Sequence, residues 1–399
     1  MHFRFLTAGE SHGQALLVIV EGMPAGLELS EDYIAGHLRR RQQGYGRGKR
    51  QQIEVDRAEL ISGVRHGKTM GGPIGMRIVN RDWENANWQK RMSVAPIDDE
   101  VERLTAMRPG HTDLPGVVKY GLDDVRPVLE RSSARETTAR VAAAAVARRY
   151  LEEFGVHVHS HVLAVGEVWA NPPVSPDWQR VEESPVRCAD PAAEPLMIAR
   201  IDAIKEGLDT IGGIFEVRAT GVPMGLGSFV QWDRKLDGRL AQAVMSMQAV
   251  KGVEIGTGFM TASLPGSEVQ DVLLPPEQWT DRPWTHASNR AGGLEGGVTN
   301  GEDVIVRGAL KPISTLPRGL PTVDLLTAEP TPAFYERSDV CVVPAAGVIG
   351  EAMVAIVLAD AVMEKFGGDN IRETLHNFHA YMKTIGPRTE GWDRVYADR

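Results

Sequence analysis

From Gly350 to Phe366 the chain reads GEAMVAIVLADAVMEKF, apolar on almost every side of a helix. Such a helix has no face to give to water and must be buried. Its apolar run Ala352–Met363 is interrupted by Asp360 and is too short to cross a bilayer. The chain can supply the surrounding core: of 399 residues, 42% are hydrophobic and 24% charged, as in ordinary globular proteins. That length suits two or three average domains or one large α/β unit. No stretch reads as a linker between independent units, so a single domain over residues 1–399 is expected.

Other elements follow from caps and periodicity. Ser30 followed by Glu31 and Asp32 predicts a helix running to Arg39–Arg41 and stopping before Gly44. Ser133 with Glu136 has capping-box spacing at the head of an alanine-rich helix, which Gly155 should end. Ile371, Leu375, Phe378 and Met382 mark one stripe of a last helix. Strands are expected at Ala15–Val20, Val156–Val165, Ile214–Val217, Val304–Val306 and Val340–Val343. The stretches Glu167–Pro195 and Pro275–Pro283 read as surface excursions.

Two short patterns recur. Gly22-Met-Pro-Ala-Gly-Leu27 resembles Gly221-Val-Pro-Met-Gly-Leu226, and Thr69-Met-Gly-Gly72 resembles Thr210-Ile-Gly-Gly213. They run in opposite order, which allows two related β-rich halves but not a simple tandem repeat.

The net charge of −9 argues against the whole chain being a nucleic-acid or membrane-surface binder. The two cysteines, Cys188 and Cys341, build neither a disulfide framework nor a metal cluster, and suit reduced thiols in the cytoplasm. The N-terminal MHFRFLTAGESHG has no long apolar stretch, so no secretory signal is expected.

Six segments carry chemistry. Gly9-Glu-Ser-His-Gly13 sets a serine and a histidine in tight backbone geometry, either an acid–base site or a polar turn. Arg39–Arg50 packs six basic residues into twelve positions. Its arginine forks suit phosphate and carboxylate, and a solvated loop or an RNA-binding strip are the other readings. Arg108-Pro-Gly-His-Thr-Asp113 offers a second turn histidine, proton donor or cap. Glu130-Arg-Ser-Ser-Ala-Arg-Glu136 sets hydroxyls and arginines at a helix start, where an anion is favoured. Asn289–Gly297, with Lys311-Pro-Ile-Ser-Thr315, lets backbone approach a flat or phosphorylated ligand. Arg337-Ser-Asp339 sets an arginine and a carboxylate before an apolar strand, where an ordinary surface ion pair is the plain reading. The alternating His157, His159 and His161 suggest a metal, but no carboxylate or cysteine pattern supports one.

In this order the six segments closely resemble the chorismate synthase family, from Thr7-Ala-Gly-Glu-Ser-His-Gly13 to Gly367-Gly-Asp369. It looks like the bacterial monofunctional type, for which no attached flavin reductase is expected. One departure is Ala144, where many relatives have glycine. The resemblance implies an α+β fold: a β-sandwich core of two antiparallel sheets flanked by helices, assembled as a homotetramer. It implies a carbon–oxygen lyase acting on phosphate at the last step of the shikimate pathway. There, 5-O-(1-carboxyvinyl)-3-phosphoshikimate loses phosphate in an anti-1,4-elimination to give chorismate. Reduced FMN is required without net redox change, from an external source, with NADPH a candidate reductant.

By that resemblance His12 assists phosphate departure, His111 protonates the reduced flavin, and Asp339 helps remove the ring proton near flavin N5. Arg41 and Arg47 match positions that bind NADPH, or else clamp the small anionic substrate. FMN contacts carried over are Arg131, Ser132, Ser133, Gln248, Ala249 and Gly296. The segment Lys311, Pro312, Ile313, Ser314, Thr315 and then Arg337 complete them. Neither nucleic acid nor membrane is implied as a partner. A flavin oxidoreductase with net electron transfer and an RNA-binding protein are the rival readings.

Overall fold

A computed structural model describes residues 2–48, 55–97, 101–279, 282–336 and 338–388. Two antiparallel sheets form its frame. The first holds β1 (Arg4–Ala8), β2 (Ala15–Glu21), β3 (Ala58–Ser62) and β4 (Ile74–Val79), in the order β1-β2-β4-β3. The second holds β5 (His157–Val165), β6 (Val168–Trp169), β7 (Gly213–Thr220), β8 (Val250–Ile255) and β9 (Val304–Leu310). Its order is β8-β9-β7-β5-β6. Alternation sets the faces: Leu16, Val18 and Val20 of β2 point into the core, and Leu17 and Ile19 point out.

Helices fill the space behind both sheets. They are α1 (Glu31–Gln42), α2 (Thr137–Glu152), α3 (Leu236–Met245), α4 (Val343–Phe366) and α5 (Ile371–Met382). α2 packs on β2, α4 packs on β5 and β7, and the two helices pack on each other. The resemblance implies helices on the flanks; here the two most extensively buried helices, α2 and α4, each pack on a different sheet and on each other. Side-chain size explains this. Ala142, Ala143, Ala144 and Ala145 of α2 are all buried and let α4 come close. Gly350 does the same on the other side, where a Cβ would come 2.5 Å from Phe215 Cε2. α4 has 24 residues and is long and apolar enough to cross a membrane, but it is buried in this fold.

The local elements differ from the sequence reading in three places. Val340–Val343 is not a strand: Cys341 makes one bridge to Ile211, and α4 begins at Val343. Ser133 caps a short 3-10 turn, Ala134–Glu136, before α2 starts at Thr137. The Glu167–Pro195 stretch is only partly on the surface, since Val181, Val186, Arg187 and Cys188 are buried. Ser30 does cap α1, accepting the Tyr33 N–H at 3.2 Å.

The recurring turns share their hydrogen bonds. Thr69 Oγ1 donates to Pro24 O (2.6 Å) and accepts from Leu27 N (3.0 Å). Thr299 Oγ1 donates to Pro223 O (2.7 Å) and accepts from Leu226 N (2.8 Å). Thr210, by contrast, bonds Ile313 O at 2.7 Å. The counterpart of Thr69 is therefore Thr299, which puts the two patterns in the same chain order. Strand order agrees, since β5-β7-β9-β8 repeats β1-β2-β4-β3.

Candidate active site

A cavity of about 820 Å³ opens where the turn after β1, the heads of α2 and α4, and the segment after β9 converge. His12 reaches it from the Gly9–Gly13 turn. Gly9, at φ +104°, makes that turn possible, because a Cβ there would come 2.3 Å from Ala15 O. The His12 Nδ1 lies 2.9 Å from Glu130 Oε1, and its backbone N–H donates to Glu130 Oε2 at 2.8 Å. Glu130 sits on the short helix Arg126–Ser132 and is fully buried. Burial pushes its carboxyl pKa up, but the His12 hydrogen bonds and the Arg126 charge outweigh that and hold it below the usual range. Trp88 stacks on the imidazole with ring centroids 3.7 Å apart, and Asp82 Oδ2 is 3.9 Å from Nε2.

His111 is built the same way. Its Nδ1 lies 2.5 Å from Oδ1 of buried Asp113. Arg108 grips that carboxylate through Nε at 2.9 Å and reaches Thr315 Oγ1 at 3.0 Å. Burial raises the Asp113 pKa, but the hydrogen bonds from His111 and Arg108 hold it well below the carboxylate range. Lys311 Nζ donates to Gly110 O, tying this turn to the 311–315 segment.

The other carboxylate, Asp339, accepts the Gly48 N–H at 2.5 Å and lies 3.4 Å from Arg47 Nε. Gly46 brings that loop alongside, its carbonyl accepting Val340 N–H at 2.8 Å. Arg41 is not on a solvated loop. It closes α1, is 4% exposed, and donates to Thr137 Oγ1 (2.9 Å) and Ala134 O (3.1 Å). Asp56 Oδ2 lies 3.4 Å from Arg41, and Asp56 Oδ1 takes Arg135 Nη1 at 2.6 Å. Burial pushes the Arg41 pKa down, Asp56 pulls it back, and Arg135 and Arg47 add to the depression. Two guanidiniums thus share one carboxylate in the cavity wall, leaving positive charge for an anion. Arg40 is likewise engaged, with Glu182 and Glu351 (2.5 and 2.7 Å). Lys49 and Arg50 lie outside the described residues.

The cavity brings together His12, His111, Asp339, Arg41, Arg47, Ser132, Ser133, Gln248, Ala249 and Lys311 to Thr315. Two expected contacts do not line it. Arg131 turns outward to Thr7 O and Gly9 O, both at 3.0 Å, because those strand-end carbonyls need donors. Gly296 sits in a hairpin turn whose nearest side chain is Phe229. Arg337 lies outside the described residues. The three strand histidines separate: His157 is exposed, His159 stacks on Trp178, and His161 pairs with Glu216 at 3.1 Å.

Sequence reasoning set a carboxylate, Asp113, near His111, but missed Glu130 behind His12, and Trp88 and Asp82 altogether. For Asp113 the signal was its place two residues after His111. Trp88, in an ordinary polar stretch, gave none.

Fold and cavity are those of an enzyme whose site gathers two carboxylate-held imidazoles with several guanidiniums around one space. The family model described as chorismate synthase matches residues 3–363. The chain is 54% identical over 392 residues to a chorismate synthase of Desulforudis audaxviator (strain MP104C), covering 97% of this chain and 99% of that one. It is 53% identical over 390 residues to one of Solibacter usitatus (strain Ellin6076), covering 96% and 99%. A crystal structure of chorismate synthase is similar with a TM-score of 0.76 and 42% identity, covering 96% and 98%. The chain belongs to the chorismate synthase family. Its reaction is a carbon–oxygen lyase step in which 5-O-(1-carboxyvinyl)-3-phosphoshikimate loses phosphate to give chorismate.

Proposed function

We propose that the cavity binds this substrate together with reduced FMN, and that His12 and His111 are its proton donors. The observation that carries the reading is the paired design: each imidazole has Nδ1 on a buried carboxylate. Nε2 is the nitrogen away from that carboxylate in each ring, and at His111 it lies 3.5 Å from Arg108 Nη2. His12 delivers a proton as phosphate leaves, and His111 protonates the anionic edge of the cofactor. Arg47, Arg108, Arg135 and Lys311 offset the substrate's phosphate and two carboxylates. Asp339, oriented by Gly48 and Arg47, accepts the ring proton.

The residues present fit a flavin. Ser132 Oγ and Gln248 Oε1 are buried polar atoms of the cavity with no hydrogen-bond partner. Met247, Leu310, Ile313, Val342 and Ala346 give an apolar wall for a flat ring. When bound, reduced FMN supplies the electron-rich partner that a poorly activated C–O cleavage needs, with no net redox change. Arg41 acts from inside the wall, so Arg47 is the better placed to touch substrate or NADPH. The reduced flavin comes from an external source, for which NADPH is one reductant.

We read the sheets as outer layers of one sandwich around α2 and α4, in a single domain of two related halves. The outer face of the first sheet exposes Leu6, Leu17, Ile19 and Val79, which suits burial in a homotetramer. The buried thiols Cys188 and Cys341 suit the cytoplasm. Anaerobic phosphate release from the substrate tests the central reading. Release should require reduced FMN; equal release without flavin overturns it.

A further inference from the structure

Trp88 reaches the cavity from outside the core. It lies on the short helix Ala86–Arg91, which, like the turn Arg81–Glu84 before it, has no buried residue. Its indole nevertheless lies flat on His12, with centroids 3.7 Å apart and planes 10° from parallel. Its ring also meets two guanidiniums, Arg91 at 5.5 Å and Arg126 at 5.4 Å. Arg126 in turn reaches Glu130 Oε1 at 3.3 Å, the same oxygen that faces His12 Nδ1. The imidazole is therefore held on an edge by Glu130 and on a face by Trp88.

We propose that Trp88 is a positioning residue for the elimination: its stack fixes the His12 ring and favours its protonated form. The inference rests on His12 being a proton donor. An aromatic face attracts a cation more strongly than a neutral ring of the same shape. The stack therefore stabilises imidazolium over imidazole. The charged groups facing His12 are Glu130 from the helix Arg126–Ser132 and Asp82 from the turn Arg81–Glu84, with Arg126 behind Glu130. Both carboxylates act in the same direction as the indole, and Arg126 opposes them. The stack covers a face and leaves Nε2, at the edge, directed to Asp82 and the cavity.

The test is an NMR titration of ring-labelled histidine in the full-length protein, for wild type, Trp88→Phe and Trp88→Ala, with His12→Gln to assign the signal. Each variant is also followed by phosphate release against pH with reduced FMN in excess. In Trp88→Ala the His12 pKa should fall by roughly half a unit, the size expected of a modest cation–π contact. The high-pH limb of turnover should move down with it. Turnover should drop about tenfold at neutral pH while KM stays close to wild type, and Trp88→Phe should restore most of both. An unmoved His12 titration in Trp88→Ala overturns the inference, whatever His12 does in catalysis. So does a change in KM alone, which would make Trp88 a substrate contact, or a gain in turnover, which would make it an obstructing lid. Wild-type turnover in His12→Gln, with the titration shift in Trp88→Ala intact, fails the proton-donor reading instead.

Discussion

Glu130 holds His12 at two points, with Oε1 2.9 Å from the ring Nδ1 and Oε2 accepting the backbone N–H at 2.8 Å. The second contact fixes the backbone and the first fixes the ring, so tautomer and direction are set together. A buried carboxylate beside Nδ1 also favours the charged imidazole. Glu130→Gln keeps the shape and removes the charge. Turnover should fall by about 10²-fold, within the range for impaired general-acid catalysis. Its high-pH limb should shift to lower pH, because protonated His12 is lost earlier. A pH–turnover profile for the variant checks this; an unmoved limb would mean the charge does not act through His12.

The two histidines should be separable by readout. His12→Ala and His111→Ala should each lower turnover by roughly 10²–10⁴-fold. With flavin fully reduced, His12→Ala should still be slow in phosphate release. His111→Ala should instead alter the absorbance spectrum of bound reduced flavin. If activity falls only in proportion to the folded fraction in thermal melts, both residues are structural.

Arg41 and Arg47, adjacent in function by sequence, should behave differently. Arg41 is buried among Asp56, Thr137 and Ala134, so Arg41→Ala removes charge-assisted bonds inside the wall. A loss of about 2–4 kcal/mol in stability is expected. Arg47 borders the cavity beside Asp339, and Arg47→Ala should weaken substrate binding roughly tenfold with little change in melting temperature. Calorimetry alongside substrate titration distinguishes them. Equal melting temperatures for the two variants would show that the Arg41 contacts contribute nothing net.

How far these positions could be read from the chain depends on the range of the forces involved. Helix caps and turns are local, which is why Ser30, Gly155 and the two histidine turns were legible. Val340–Val343 was misread because a short β-branched run has the same pattern whether it starts a buried helix or forms a strand. The strands β1, β3, β4, β6 and β8 were missed; β4 is held by β2 and β8 by β9, neighbours distant in sequence. Burial of Arg41 was hidden for the same reason. Its partners Asp56 and Thr137 are 15 and 96 residues away, and a basic run looks solvated until they are in place. Most of the residues carried over by the resemblance line the cavity, but Arg131 turns outward, to carbonyls left open at Thr7 and Gly9.

Two histidines and two carboxylates predict acid destabilisation in two overlapping windows. Burial, reinforced by Arg148 and Arg40, pushes His37 down from 6.5 to about 3. For His159, burial is again the main cause and brings it to about 4. Their folded pKa values lie below the unfolded one, so from pH 6.5 down to about 4 for His159 and about 3 for His37 the unfolded chain binds more protons and stability falls as pH falls. Glu182 and Glu216 behave as carboxylates held low. Burial opposes ionisation in both, but Arg40 and Arg187 hold Glu182, and His161 with Arg218 and Arg307 hold Glu216, each at about 2. Their contribution is complete above the unfolded carboxylate value near 4.5 and is lost only as pH drops toward 2. Urea midpoints measured from pH 7 to pH 3 should therefore decline first across the histidine window and then more steeply below it. The double variant His37→Gln/His159→Gln should flatten the first decline and leave the second. A wild-type midpoint that stays constant from pH 7 to pH 4.5 would mean that neither histidine is buried in its neutral form.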